Sequence, residues 1–151
     1  MGGRFLPQRI DNSYRGHRLA LWLFGLIVFV KTSIGLGTIF NGRNAATTAD
    51  GIALDTFTTD GARAFLSVFA IWGLAQATIG LLCILVLVRY RAMIPFMFAL
   101  LLLEHLTRKL ILFVMPIPRT GTPPGSVINL ALVAVMIVGL ILSLRHQDAP
   151  A

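Results

Sequence analysis

The run AFLSVFAIWGLAQATIGLLCILVLV, residues 64–88, decides the fold. It holds no charged side chain and a single amide, Gln76. Crossing a hydrocarbon core of about 30 Å takes roughly 20 helical residues, and this run exceeds that length. Backbone N–H and C=O groups in lipid must be paired within the segment, which selects a helix over an open strand. Working outward, three more apolar runs reach spanning length: residues 18–40 before it, and 92–115 and 126–144 after it. The expectation is an all-α, integral membrane four-helix bundle. It fills one domain, residues 1–151, with an outer loop at 41–63.

Composition points the same way. Of 151 residues, 56% are hydrophobic and 13% charged, whereas a soluble domain carries roughly a quarter charged residues. The net charge of +7 would suggest nucleic-acid binding in a soluble chain. Here the basic residues flank apolar runs, and no basic stripe with interleaved aromatics exists. Nucleic acid is therefore not an expected partner; the lipid bilayer is.

The basic residues also set sidedness. Arg4, Arg9, Arg15 and Arg18 precede the first span, Arg89 and Arg91 sit in the short second turn, and Arg145 lies in the tail. The opposite side holds Asp50, Asp55 and Asp60, and its second loop, 116–125, carries only Arg119. The positive-inside rule then places both termini in the cytoplasm, N-in/C-in, in the inner (plasma) membrane. The first run is too long for a cleaved signal peptide, Lys31 interrupts it, and no small-residue cleavage site follows. The opening Met1-Gly2-Gly3 lacks the Ser or Thr of a myristoylation signal.

Several chemistries are excluded. Cys83 stands alone, so no internal disulfide or CxxC pair exists, and a dithiol oxidoreductase of the vitamin K epoxide reductase type is ruled out. Cys83 reads as a small packing residue. The chain has no P-loop, HExxH, GxSxG or paired metal motif. A bis-His haem site would need a second histidine at the depth of His105, and His17 and His146 lie outside the spans. The reading is non-enzymatic, with no cofactor.

The loops carry weaker signals. Asp60-Gly61 reads as a turn before the second span. Ile52, Leu54 and Phe57 read as a short segment on the membrane surface. The turn around Arg89 and Arg91 is so short that spans two and three should be antiparallel neighbours. Trp22 and Trp72 read as packing or interfacial residues.

The third span contains Glu104-His105-Leu106-Thr107-Arg108-Lys109. A charge at mid-membrane costs at least a few kcal/mol and marks a functional site by default. At 100° per residue, Glu104, Arg108, His105 and Lys109 share one side, while Leu103, Leu106, Leu110, Phe113 and Val114 take the other. Glu104 and Arg108 are four residues apart with the acid first, the favourable order for a helical ion pair. At about 1.5 Å per residue, Lys31, Gln76 and Glu104 each lie about 18 Å from the cytoplasmic end, and Arg108, Lys109 and Asn129 about 24 Å. Every span thus supplies a polar group to one layer. Phe24, Val28, Lys31, Gly35 and Thr38 share a stripe of the first span; Phe69, Gly73, Gln76, Gly80 and Cys83 share one of the second. Small residues beside polar ones mark close helix contact in membranes.

Lys31, Arg108 and Lys109 face one inner acid, Glu104. Lys109 can snorkel outward. Either Glu104 lies between Lys31 and Arg108, or an anion completes the site, or Asp55 or Asp60 folds over it. The candidate ligand-binding set is therefore Lys31, Gln76, Glu104, His105, Arg108, Lys109 and Asn129. The expected ligand is an anionic lipid or metabolite. The alternative for the same residues is a structural ion-pair network that fixes helix register.

The pattern Thr59-Asp60-Gly61-Ala62-Arg63-Ala64-Phe65, then Gly80-Leu81-Leu82 before Arg89, with Arg108 late in the third span, resembles small uncharacterised four-helix bacterial membrane proteins, DoxX-like in the broad sense. The resemblance covers spans two and three best. It implies a four-helix bundle and, for some members, association with respiratory or sulfur-oxidising complexes. Lys31 and the Glu104-His105 pair lie outside that pattern. The leading expectation is a small membrane protein that binds a membrane partner, a second copy of itself or an anionic ligand. The alternatives are a small proton-coupled transporter built around Glu104 and an accessory subunit of a quinone-linked redox complex.

Overall fold

A computed structural model of the chain describes residues 11–145; Arg4, Arg9 and His146 lie outside the described residues. The described chain is helical, apart from turns and one isolated bridge between Ile52 and Arg119. Four long helices dominate: α1 (Arg18–Phe40), α2 (Thr59–Arg89), α3 (Ile94–Val114) and α4 (Pro124–Leu144). Three of them, α1, α2 and α4, are long and apolar enough to cross a membrane. The fourth, α3, has 21 residues, a sufficient length, but it carries Glu104, Arg108 and Lys109.

The helix ends follow local chemistry. His17 caps α1, its Nδ1 accepting from the Leu19 N–H at 3.1 Å. Thr58 caps α2, its hydroxyl accepting from the Gly61 N–H at 3.1 Å. That cap draws Asp60 and Gly61 into the first turn of α2, so the turn expected there lies earlier, and α2 starts five residues before the expected span. Asp60 is favourable there because a carboxylate opposes the positive helix N-terminus.

The helices run alternately up and down. At one end the His17 N–H donates to the Leu142 carbonyl at 3.1 Å, tying the start of α1 to the end of α4. The α2–α3 turn joins the same end, the Ala92 N–H reaching the Asp11 carbonyl at 3.4 Å. At the other end the two long loops meet: Thr120 donates its N–H at 2.8 Å and its hydroxyl at 3.1 Å to the Gly51 carbonyl. Gly51 sits at φ 68°, and a Cβ there would come within 3.0 Å of the Thr120 carbonyl, so this contact requires glycine.

One apolar core draws on all four helices, including Phe24, Ile27, Cys83, Phe98, Leu101 and Met136. Phe24 and Phe98 meet edge to face at 5.2 Å. The closest seam is α1 on α2. A Cβ at Gly35 would lie 2.7 Å from the Ala77 nitrogen, and one at Gly73 would lie 2.9 Å from the Thr38 Cβ. Helices approach this closely only where side chains vanish. Ile52 and Leu54 of the first loop, expected to face a membrane surface, are instead covered by protein: they are buried with Ala46 and pack against Phe65, Leu66 and Phe69 of α2. The loop therefore roofs the loop end of the helices. The expected neighbours α2 and α3 are joined by a short turn yet touch only sparsely along their lengths.

Candidate functional site

The residues that shared a depth in the sequence are joined in two tiers. In the first tier the Lys31 Nζ donates to Glu104 Oε2 at 2.8 Å. The His105 Nδ1 lies 2.8 Å from the same oxygen and 3.2 Å from the Leu101 carbonyl. Both neighbours of Nδ1 are acceptors, so Nδ1 carries the proton. The Gln76 Nε2 donates to Glu104 Oε1 at 3.2 Å. Three donors from three helices converge on one carboxylate. Lys31 is buried, at 3% exposure, while the Glu104 side chain keeps 26%.

In the second tier the Arg108 Nη2 donates to Asn129 Oδ1 at 2.7 Å, and Asn129 Nδ2 donates to the Gly125 carbonyl at 2.8 Å. The guanidinium also lies over the Trp72 ring, 5.4 Å from its centroid. A cation on an indole face is stabilised by the ring quadrupole. Trp72, expected as a packing or interfacial residue, thus carries Arg108. It ends an aromatic ladder that runs from the loop onto α2: Phe57 to Phe65 at 5.8 Å, Phe65 to Phe69 at 5.6 Å and Phe69 to Trp72 at 5.5 Å. The spacing of Phe65, Phe69 and Trp72, on one helix face, was the signal for this ladder.

The expected Glu104–Arg108 ion pair does not form among the described residues. Glu104 turns to Lys31 and Gln76 on other helices and to its neighbour His105, and Arg108 turns to Asn129 and Trp72 across the helices.

Both tiers open into one cavity of about 840 Å³ at the loop end, within the usual range for a small-molecule pocket. Lys31, Gln76, His105, Arg108, Lys109 and Asn129 line it. Lys109 is exposed at its edge. The loops add Asp50 and Arg119, which the sequence reading did not select. Asp55 and Asp60, expected as covering acids, are exposed; the acid that reaches the cavity is Asp50. Burial raises the Asp50 carboxyl above its ordinary value, and nearby Arg119 and Arg108 oppose that rise. Gly125 makes room for it, since a Cβ there would fall 2.8 Å from Asp50 Oδ1.

No family model, curated protein or solved structure matches this chain. No match therefore bears on the DoxX-like resemblance, and the site rests on its own geometry.

Four basic side chains therefore line the cavity, Lys31, Arg108, Lys109 and Arg119. The acids near them are Glu104, bound to Lys31, and Asp50. Around these groups the lining is largely apolar, with Ile34, Phe65, Val68, Phe69 and Leu132 among its residues.

Proposed function

We propose that this chain is a four-span protein of the plasma membrane, with both termini cytoplasmic, that binds an anionic ligand in the cavity at its loop end. Arg108 is the observation that carries the reading. Its direct contacts are a neutral amide and an aromatic ring; Glu104 is committed to Lys31, and Asp50, which feels Arg108 through space, is shared with Arg119. A cation held in place with neutral partners is a ready anion site, because a charge-assisted hydrogen bond is about twice as strong as a neutral one. Lys109 and Arg119 on the cavity wall add to the positive field. Lys31, Gln76 and His105 act by holding Glu104 away from Arg108.

The four-span reading rests on how α3 partners two of its charges. Glu104 and Arg108 turn inward to partners, whereas Leu103, Leu106, Leu110 and Phe113 are exposed and present an apolar face to lipid. It is also the architecture that the DoxX-like resemblance implies. Proton cycling draws less support, because three donors already occupy the Glu104 carboxylate.

Native mass spectrometry of protein gently extracted from its own membrane tests the proposal. The expected result is a retained mass of anionic lipid or metabolite size that is lost in Arg108→Ala. An unchanged mass in that variant removes the anion pocket. A bare wild-type chain leaves Lys31, Glu104 and Arg108 as a network that only fixes helix packing.

A further inference from the structure

The ligand class follows from where the cavity opens. Residues that both line the cavity and are largely exposed mark its mouth. On α2 that residue is Val68, at 67% exposure, and on α3 they are Lys109 and Ile111, the latter at 54%. Ser126 and Ile128 of α4 and Asn41, Asn44, Ile117 and Arg119 at the loop end are exposed lining residues as well. On a helical wheel of α3, Ile111 lies about 20° to one side of Glu104, and His105 lies about 100° to the other. Glu104 and Arg108 meet Gln76 and Trp72 of α2, so the Ile111 edge is the one that faces α2. On the opposite side of α3, Phe98 packs against Gly139 of α4. One opening of the cavity, beside those at the loop end and along α4, thus lies in the α2–α3 seam, between helices that touch only sparsely. If both helices span, that seam faces hydrocarbon rather than water. Arg108 and Trp72 stand just inside the mouth.

A pocket with a cation at its lip, an apolar aromatic wall and a side opening toward lipid matches a molecule with an anionic head and a hydrocarbon tail. We propose that the cavity takes the headgroup of an anionic membrane lipid, its phosphate on Arg108 and Lys109 and its chain leaving along Val68 and Ile111 into the bilayer. The inference rests on the anion pocket proposed above and names its occupant. The ladder of Phe65, Phe69 and Trp72 supplies the surface along which the first part of the chain lies.

Trp72 provides the readout. The chain has two tryptophans, and Trp22, at 79% exposure, faces outward on α1. Trp22→Phe leaves Trp72 as the sole reporter. The full chain is reconstituted in phosphatidylcholine vesicles containing small fractions of brominated-chain phosphatidylglycerol or, separately, brominated-chain phosphatidylcholine. Bromine quenches indole on contact. The anionic lipid is expected to half-quench Trp72 at about one-tenth the mole fraction that the zwitterionic lipid needs, since a charged hydrogen bond is worth about a tenfold preference. Arg108→Gln should abolish the preference and Arg108→Lys should keep most of it. Val68→Phe, at an exposed position, should narrow the mouth and weaken quenching without removing a charge, which separates the effect from misfolding.

Equal quenching by the two lipids overturns the lipid assignment. If inorganic phosphate then changes Trp72 emission in an Arg108-dependent way, the pocket takes a free anion from water and the proposed function survives. No response to either probe, together with no retained mass, removes both.

Discussion

Glu104→Gln should cost far more than Lys31→Met, although the two side chains share one ion pair. Lys31 is 3% exposed, and its Nζ lies 2.8 Å from Glu104 Oε2. It sits about halfway along α1, too deep to snorkel to either surface. Removing the carboxylate strands a buried ammonium, a change that costs about 3–5 kcal/mol for buried pairs. Removing the lysine strands less. Glu104 keeps Gln76 and His105 as donors and 26% of its side chain exposed, so losing one charged hydrogen bond costs about 1–3 kcal/mol. The double variant Lys31→Met/Glu104→Gln removes both charges and should be more stable than Glu104→Gln alone, with a coupling energy of at least about 1 kcal/mol. The assay is titration of the full chain from mild detergent micelles with dodecyl sulfate, followed by far-UV circular dichroism. Wild-type stability in Glu104→Gln, or a double variant whose cost equals the sum of the singles, would refute the claim that Glu104 exists to neutralise Lys31.

The remaining predictions probe packing, loop and sidedness. Gly73→Leu should destabilise by about 1–3 kcal/mol through overpacking on Thr38. Gly37→Ala, with nothing near its added Cβ, should be neutral or stabilise by up to about 1 kcal/mol; the same titration compares them, and equal effects would discard the close α1–α2 seam. Burial holds the Asp50 proton on more tightly in the folded state, so the stability Asp50 contributes is full below its ordinary value of about 3.9 and lost as pH rises through the raised one. Wild type should lose stability relative to Asp50→Asn as pH rises above about 4, and a flat difference would count against a buried Asp50. Trp72→Leu should weaken retention of the bound anion several-fold by removing the ring under Arg108, because a desolvated cation–π contact contributes about 2 kcal/mol; undiminished retention would make that stacking incidental. In intact cells a membrane-impermeant maleimide should label Thr120→Cys but neither Tyr90→Cys nor the buried native Cys83, and labelling at Tyr90→Cys would reverse the proposed sidedness.

Helix positions were legible because apolar length alone dictates them. The α1 bounds agree with the sequence reading, and the α3 and α4 bounds differ from it by at most two residues at either end. The tiers were also legible, since depth along a helix is simple arithmetic: Lys31, Gln76 and Glu104 meet at one level, Arg108 and Asn129 at the next. Partner choice within a level was not legible. Helical spacing favoured Glu104 with Arg108, but a carboxylate settles where most donors converge, and Lys31, Gln76 and His105 arrive from three helices. The first loop was misread for a related reason. Ile52 and Leu54 are too few to define a surface helix, and only the tertiary fold supplies Phe65, Leu66 and Phe69 as their cover. Asp50 went unselected because nothing local separates it from Asp55 and Asp60.

Side-chain size explains why a cavity exists at all. Along the α1–α2 seam the sequence places Gly35, Gly73 and Ala77, and the backbones close until no further atom fits. Toward α3, the same helix α2 presents Phe65, Phe69 and Trp72, and α3 answers with Arg108 and Glu104. Bulky rings and long charged side chains cannot interdigitate at that distance, and Trp72 and Arg108 meet face to face at 5.4 Å. At the terminal end Gly139 again lets α4 approach Phe98. The helices are thus drawn together by small residues at one end and along one seam, and held apart by large polar and aromatic residues at the other. A chain needing only rigidity could have placed small residues on every seam. That this one places a cation and an aromatic wall on the seam it leaves open is the physical argument for an occupant rather than a flaw in packing.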